Sequence, residues 1–86
     1  MKLVWDPSAW EDDLWWKAQD RKVLKRINTL IQDVEHNGNE GIGKPEPLKQ
    51  TLAGLWSRRI DDEHRLVYQV AGDDLIVHQA RYHYET

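Results

Sequence analysis

The residue types best suited to chemistry lie in the second half of the chain: one acid, several arginines and a terminal histidine. Glu46 stands between two prolines, which fix the backbone on both sides and hold its carboxylate in one place, as a general base requires. Arg59 and Arg65 are suited to clamping a phosphate and to stabilising the charge that grows on it in a transition state. His83 is suited to donating a proton to a leaving oxygen near neutral pH. Together with the absence of cysteine, this set indicates phosphodiester chemistry without a metal ion.

Each of these residues also has an ordinary interpretation. An isolated histidine near a chain end is usually a surface residue, and a glutamate in a loop is usually solvated. Arg59 and Arg65 would then pair with the acids of the turn Asp61-Asp62-Glu63. His64 and His78 lack the spacing of a metal site, so we interpret His64 as a strand-start residue and His78 as a core-facing residue. The sequence therefore predicts neither a metal site nor a cofactor.

The first half of the chain has the pattern of a short strand followed by two helices. Residues 2–5 are strand-like, and Asp6 with Pro7 has the chemistry of a helix N-cap and a first helical position. Asp20 is a second N-cap, and the helix that it begins stops at Asn37-Gly38. Apolar residues recur at helical spacing in both helices. In the first helix, the predicted apolar face consists of Trp10, Leu14, Trp15, Trp16 and Ala18.

The second half of the chain is predicted to form an antiparallel sheet after a stiff, loop-like stretch at residues 37–52. Three β-type runs follow, and they cover residues 54–60, 64–71 and 74–83. The overall prediction is an α+β domain of two layers, in which a three-stranded antiparallel meander follows a short N-terminal strand and a two-helix hairpin.

The lengths of the two turns decide which residues share a face of this sheet. A three-residue turn at 61–63 places Arg59 opposite Arg65. If the second turn also has three residues, Arg65 faces Arg81 and His83 joins the same open face. A second turn of two residues sends His83 to the opposite face. In the first case, the residues that share the helix-packing face are Leu66, Tyr68, Val70, Ile76, His78 and Ala80.

Length, charge and hydropathy limit the class of protein. A chain of 86 residues is predicted to be one domain, 1–86, and its 40% hydrophobic content is that of a globular protein. The net charge of −3 argues against binding nucleic acid by bulk electrostatics alone, although the arginines can still form a local basic site. No apolar stretch has the length needed for export or membrane insertion. With no cysteine, these features predict a cytoplasmic protein.

Five segments of the sequence together resemble the YoeB toxins, the Txe/YoeB family of the RelE/ParE superfamily. The segments are Met1-Lys2-Leu3-Val4-Trp5, Gly43-Lys44-Pro45-Glu46-Pro47-Leu48-Lys49, Trp56-Ser57-Arg58-Arg59-Ile60, Glu63-His64-Arg65-Leu66-Val67-Tyr68 and Arg81-Tyr82-His83-Tyr84. The resemblance runs through nearly the whole chain and implies a RelE-like, microbial-ribonuclease-like sheet with two helices on one face.

The same resemblance implies the toxin of a type II toxin–antitoxin system, which enters the ribosomal A site and cuts mRNA there. The implied partners are a YefM-like antitoxin, the 70S ribosome with its mRNA, and a second copy of the chain in a homodimer. Operator DNA is implied only as a partner of the toxin–antitoxin complex, and no membrane is involved.

Residue roles follow from the resemblance as well. Glu46 resembles the general base that takes the proton of the ribose 2′-OH, and Arg65 the residue that stabilises the pentacovalent phosphate. His83 resembles the general acid that protonates the departing 5′ oxygen. Substrate-binding roles are implied for three further residues, Lys49, Arg59 and Tyr84. The implied products carry a 2′,3′-cyclic phosphate and a 5′-hydroxyl.

The end of the sequence departs from the family pattern, because Glu85 and Thr86 follow the aromatic residue at which such toxins commonly stop. Two alternatives stay open. One is a non-enzymatic inhibitor on the same scaffold, such as a ParE-like gyrase poison, and the other is a catalytically inactive binding module. A combined Glu, Arg and His site favours the nuclease, since an inhibitor has no use for one.

Overall fold

Two helices cover one face of a five-stranded mixed sheet in the computed structural model, which describes residues 1–82. The elements in chain order are β1 (Lys2–Trp5), α1 (Pro7–Gln19), α2 (Arg21–Asn37), β2 (Glu46–Pro47), a 3₁₀ turn (Gln50–Leu52), β3 (Trp56–Arg59), β4 (Arg65–Ala71) and β5 (Asp74–Gln79). The predicted α+β class and its two-layer arrangement are confirmed.

Both helices begin where the capping residues predict. The Asp6 carboxylate accepts a hydrogen bond from the Ser8 N–H at 2.9 Å, and Pro7 occupies the first helical position. The Asp20 carboxylate accepts from the Lys22 N–H at 3.0 Å and so begins α2. Gly38, at φ +65°, ends α2 in a backbone conformation that glycine tolerates without strain.

The sheet contains one strand that the sequence pattern does not reveal. The strand order is β1-β5-β4-β3-β2, in which β1 is parallel to β5 and the other neighbours are antiparallel. The two residues of β2 pair with β3 at the sheet edge, although we predicted a loop there. Pro47 explains the missed signal, because proline lacks a backbone donor and is confined to edge strands, where a two-residue strand has no readable alternation.

The turn between β4 and β5 has two residues, since Ala71 pairs with Asp74, so the three-residue alternative is wrong. A β-bulge then changes the register within β5. Tyr68 pairs with Val77 but Val67 pairs with Gln79, so one extra residue lies on β5 between these pairs. The bulge shifts the pairing beyond it by one residue, which is the register that a three-residue turn would have produced.

The bulge decides which side chains of β5 meet the helices. Leu75, Val77 and Ala80 are fully buried in the core, whereas Ile76 and His78 are only partly buried. The predicted core positions of Ile76 and His78 are therefore wrong, while that of Ala80 is confirmed. One inserted residue reverses the alternation of a strand, so a prediction that assumes a regular ladder fails on one side of the bulge.

The two helices contribute unequally to the core. In α2 the buried residues follow the predicted 3.6-residue period and are Ile27, Leu30, Ile31 and Val34. In α1 only Ala9 and Trp16 are buried. Trp10 is 48% and Leu14 is 45% exposed, and Ala18 is exposed too, so the predicted apolar face is wrong at these three positions. The sheet side of α1 instead carries Asp12, whose carboxylate accepts the Ala80 N–H at 3.0 Å. Within residues 1–82, neither helix has the length and apolar content needed to span a membrane.

Candidate functional site

The sheet face away from the helices gathers three of the predicted site residues. Glu46 pairs with Ser57 across the β2–β3 ladder, and Arg59 pairs with Arg65 across the β3–β4 ladder. Directly opposed residues share a face, and so do residues two apart on a strand, so Glu46, Arg59 and Arg65 point to the same side. Leu66 lies on the opposite side, in the core beneath the helices. We call the side of Glu46, Arg59 and Arg65 the open face.

Sheet geometry sets the spacing of these three residues. A diagonal pair on neighbouring antiparallel strands has Cα atoms roughly 7–8 Å apart, which is the relation between Glu46 and Arg59. Arg65 lies one strand farther, and strands are spaced about 4.8 Å apart. A carboxylate and two guanidinium groups on long side chains can therefore approach one phosphodiester from different sides.

The guanidinium of Arg65 is held through one of its nitrogens. Its Nη1 donates to the carbonyl of Asp61 at 2.7 Å and to that of His64 at 3.0 Å. Within residues 1–82 these are the only hydrogen bonds of this side chain, and no described residue accepts from its Nε–Nη2 edge. That edge carries two parallel N–H donors in the geometry that matches two phosphate oxygens.

Arg59 and Lys49 have exposed side chains on backbone that is tied down. The Arg59 N–H donates to the Gly43 carbonyl at 2.7 Å, and its own carbonyl accepts from Arg26 Nη2 at 3.2 Å. The Lys49 carbonyl accepts the Leu52 N–H at 3.1 Å, in the 3₁₀ turn that follows β2. Both cations therefore extend into solvent from fixed positions, as phosphate-contacting residues require.

The loop before Glu46 is fixed by a buried arginine that the sequence analysis did not single out. Arg58 is 0% exposed, and its guanidinium forms an ion pair with Asp33 of α2. Its other acceptors are the carbonyls of Gly38 at 2.7 Å, Glu40 at 3.0 Å and Ile42 at 3.1 Å, and the Tyr68 hydroxyl at 3.1 Å. One side chain thereby satisfies the end of α2 and the loop that leads to β2.

Strand alternation was the available signal for this arginine. If Arg59 faces the open side, its neighbour Arg58 must face the helices, and a buried arginine needs an acid. The hydrogen bond from Arg58 holds the pKa of Asp33 below its ordinary value. Burial raises the pKa of Tyr68 above its ordinary value, against the opposing effect of Arg58.

Gly43 completes the attachment of this loop to β3. Its φ is +80°, and a Cβ there would lie 2.7 Å from Leu30 Cδ2 and 3.3 Å from the Arg59 carbonyl oxygen. The loop backbone thus packs directly on α2 and β3, which leaves no room for a side chain. From Gly43 the chain reaches Pro45 and Glu46 within three residues, so the carboxylate starts from a fixed backbone.

Two of the predicted site residues, His83 and Tyr84, lie outside residues 1–82, as do Glu85 and Thr86. Arg81 is within the described part and does not join the open face. Its Cζ lies 3.5 Å from the ring centre of Trp15 on α1 and 4.6 Å from that of Tyr82. The predicted meeting of Arg81 with the other arginines is therefore wrong. The strand ends at Gln79, so the alternation that the prediction assumed does not extend that far.

Ligands for a metal ion do not cluster in the part of the chain that the structure describes. Among residues 1–82, no three His, Asp or Glu side chains lie close enough together to hold one. The metal-free site remains a prediction from the residue types.

Comparison with known proteins identifies the relatives of this chain. Residues 5–84 match the YoeB-like toxins of bacterial type II toxin–antitoxin systems. Toxin YoeB of Escherichia coli K12 is 52% identical over 84 residues, which cover 98% of this chain and 100% of that protein.

Two solved structures from Staphylococcus aureus have the same fold. One is a YoeB dimer, with a TM-score of 0.92 and 44% identity. The other is the heterotetrameric YoeB–YefM toxin–antitoxin complex, with a TM-score of 0.91 and 44% identity. Each match covers 98% of this chain and 98% of the solved chain, so the similarity extends over the sheet and both helices.

Proposed function

Because the chain belongs to the YoeB-like toxins of bacterial type II toxin–antitoxin systems, we propose that it is a ribosome-dependent mRNA endoribonuclease that inhibits translation. The observation that carries this proposal is the register of the open face. It brings the proline-fixed carboxylate of Glu46 to the same side as the open guanidinium edge of Arg65. A base and a phosphate clamp on one face are what transesterification of RNA needs.

The proposed reaction uses the ribose 2′-OH of the message as its nucleophile. Glu46 takes the 2′-OH proton while the 2′ oxygen forms a bond to the adjacent phosphorus. Arg65 donates from Nε and Nη2 to the phosphate oxygens, whose charge grows as phosphorus becomes pentacovalent. His83 gives its proton to the 5′ oxygen as the bond between phosphorus and that oxygen breaks. The products are a 2′,3′-cyclic phosphate and a 5′-hydroxyl.

Two further cations would bind the substrate. Arg59 and Lys49 would contact neighbouring phosphates, and Tyr84 would position the nucleotide. The net charge of −3 makes tight binding of bare RNA unfavourable, since phosphate affinity depends on the number of cations that meet it. A local basic face on an acidic body fits a protein that relies on an already assembled ribosomal A site.

The partners of the proposed toxin are a YefM-like antitoxin and a second copy of itself, in the bacterial cytoplasm. The similarity to the Staphylococcus aureus dimer and YoeB–YefM complex supports both. Operator DNA would be bound only by the toxin–antitoxin complex. Light scattering on the purified chain tests the dimer directly, because the mass should be about twice the 10.2 kDa of one chain.

The nuclease proposal is tested in a translation extract programmed with one defined message and read by primer extension. Wild-type protein should produce new 5′ ends at A-site codons, because that is where the message meets the toxin. His83→Ala and Glu46→Gln should reduce these products by at least about 100-fold, the scale expected for losing a general acid or base. An intact message with wild-type protein would overturn the proposal.

A gyrase supercoiling assay separates the nuclease from the alternative inhibitor. Wild-type protein should leave the supercoiling rate unchanged at concentrations that stop translation. Inhibition of gyrase by both wild-type protein and Glu46→Gln would instead favour a ParE-like poison on this scaffold.

A further inference from the structure

His64 lies beneath the start of the C-terminal segment and has no assigned role. It is 8% exposed, although it lies between an acidic turn and the start of β4. Its ring makes an edge contact with Trp16 at 4.8 Å between centres and a tilted contact with Tyr82 at 5.6 Å. A buried imidazole between two aromatic rings is held in one orientation, so its two nitrogens point to defined neighbours.

A hydrogen bond shows which ring nitrogen of His64 is the acceptor. The backbone N–H of Tyr82 donates to Nδ1 at 2.7 Å, so Nδ1 must carry a lone pair. The neutral ring therefore holds its proton on Nε2, which lies 3.6 Å from a Glu63 carboxylate oxygen. Protonation of Nδ1 would set one N–H donor against another and break this contact.

Tyr82 is held at both ends of its backbone in an unfavourable conformation. Its carbonyl accepts from the Arg65 N–H at 3.0 Å and from Gln79 Nε2 at 3.0 Å. Its φ is +63°, a left-handed value that costs on the order of 1 kcal/mol for a residue other than glycine. Such a conformation persists only where surrounding contacts impose it. Here the hydrogen bonds of the Tyr82 backbone with His64, Arg65 and Gln79 do so.

We infer that His64 is a positioning residue for the reaction. Its Nδ1 accepts the backbone N–H of Tyr82 and so fixes the residue to which the proposed general acid, His83, is attached. This inference rests on the proposed function, in which His83 is the general acid. Consecutive Cα atoms are about 3.8 Å apart, so an anchor on Tyr82 limits where the next residue begins. The same Tyr82 carbonyl is bonded to the backbone of Arg65, which links the start of this segment to the phosphate clamp.

The backbone of His64 is held as well, because its backbone N–H donates to the Asp61 carboxylate at 2.7 Å.

The structural half of the inference is tested by amide hydrogen exchange of Tyr82, measured by NMR on the isolated toxin. His64→Leu keeps an apolar side chain but has no acceptor, so exchange at Tyr82 should become at least about tenfold faster. His64→Asn places Oδ1 where Nδ1 stood, so it should stay within about threefold of wild type.

The functional half is tested by cleavage kinetics on programmed ribosomes. For His64→Leu, kcat should fall about tenfold or more with KM within about twofold, because misplacing an acid slows the chemical step rather than binding. His64→Asn should recover most of kcat. His36→Asn, on the exposed surface of α2, serves as the matched histidine control and should equal wild type.

The outcomes distinguish a failure of the positioning role of His64 from a failure of the proposed function. Equal Tyr82 exchange in His64→Leu and wild type, or an unchanged kcat with faster exchange, overturns the positioning role. If His64→Asn is as slow as His64→Leu in a folded protein, the acceptor is not what matters and the inference fails. If wild-type protein cleaves nothing, the proposed function fails, while the exchange measurement still decides whether His64 holds Tyr82.

Discussion

Arg58 on β3 and Arg65 on the neighbouring strand β4 lie on opposite faces of the sheet and have different hydrogen-bond environments. Arg58 faces the helices and is fully buried, and its guanidinium donates to Asp33, three backbone carbonyls and a tyrosine hydroxyl. Arg65 faces the open side, and its Nη1 donates to two backbone carbonyls. A buried charge is tolerated only when every donor is satisfied, whereas a binding site needs donors that the fold has left unsatisfied. Stability and the proposed chemistry therefore belong to different faces of one sheet.

Arg65→Lys should give the largest effect, and on activity alone. Lysine keeps the charge but loses the two parallel donors, so cleavage on programmed ribosomes should fall about 100- to 1,000-fold. The melting temperature should change by only a few degrees, roughly what a replacement at a partly exposed site causes. A variant that loses its fold together with its activity would break the division between the faces.

Arg58→Lys should give the next largest effect, on stability. Lysine cannot reach the acceptors on the α2 end, the loop and Tyr68 at once, so buried groups lose their donors. We expect the free energy of unfolding to fall by roughly 3 kcal/mol, measured by urea denaturation.

The matched control for Arg58→Lys is Arg59→Lys, one residue along the same strand and exposed. Its free energy of unfolding should stay within about 0.5 kcal/mol of wild type. Equal destabilisation by the two variants would mean that burial does not distinguish them, and the comparison of the faces would fail.

Asp33→Asn should give the smallest effect, a loss of unfolding free energy that depends on pH. The hydrogen bond from Arg58 lowers the pKa of Asp33 in the folded protein below the ordinary 3.8. The stabilisation that depends on its ionised form is therefore complete well above this value and is lost as the pH falls through the folded pKa. Urea denaturation at several pH values should show a gap between wild type and Asp33→Asn at pH 7 that closes below about pH 4.

Other acids respond in the opposite direction, so the difference between the two proteins is the informative quantity. Burial raises the pKa of Asp12 and Asp13, and any stability they contribute is lost as the pH rises through their folded pKa values. Both carboxyls are present in wild type and in Asp33→Asn, so their contribution cancels. A gap that stays constant between pH 7 and pH 3 would show that the ion pair with Arg58 does not depend on the charge of Asp33.

The local features of the fold follow from the sequence because neighbouring residues encode them. Asp6 and Asp20 begin the two helices through bonds to N–H groups two residues away, and Gly38 ends the second. The turn of 61–63 likewise places Arg59 opposite Arg65, since the length of a hairpin turn sets the register of its two strands. Two of the three open-face residues could thus be assigned from spacing alone.

Other features require the assembled molecule, because the interactions that decide them join distant parts of the chain. The β5 bulge cannot be read from a run of β-type residues, and it reverses which side chains are buried. The sheet side of α1 depends on a bond between Asp12 and Ala80, 68 residues apart. The pairing of Glu46 with Ser57 depends on Arg58 and Gly43 holding the loop against β3.

The sequence alone indicates candidates for the proposed base, phosphate clamp and acid, since their types and their proline or strand surroundings are local properties. The tertiary structure decided which of the described residues share the open face. Glu46 reached the face of Arg65 through a two-residue edge strand, whereas Arg81 packed on Trp15 instead. It also buried His64 against Tyr82, which the predicted position of His64 at a strand start does not suggest. The physical reason is the same in each case: side-chain alternation is a short-range rule, and a bulge, an edge pair or a long-range hydrogen bond changes its outcome.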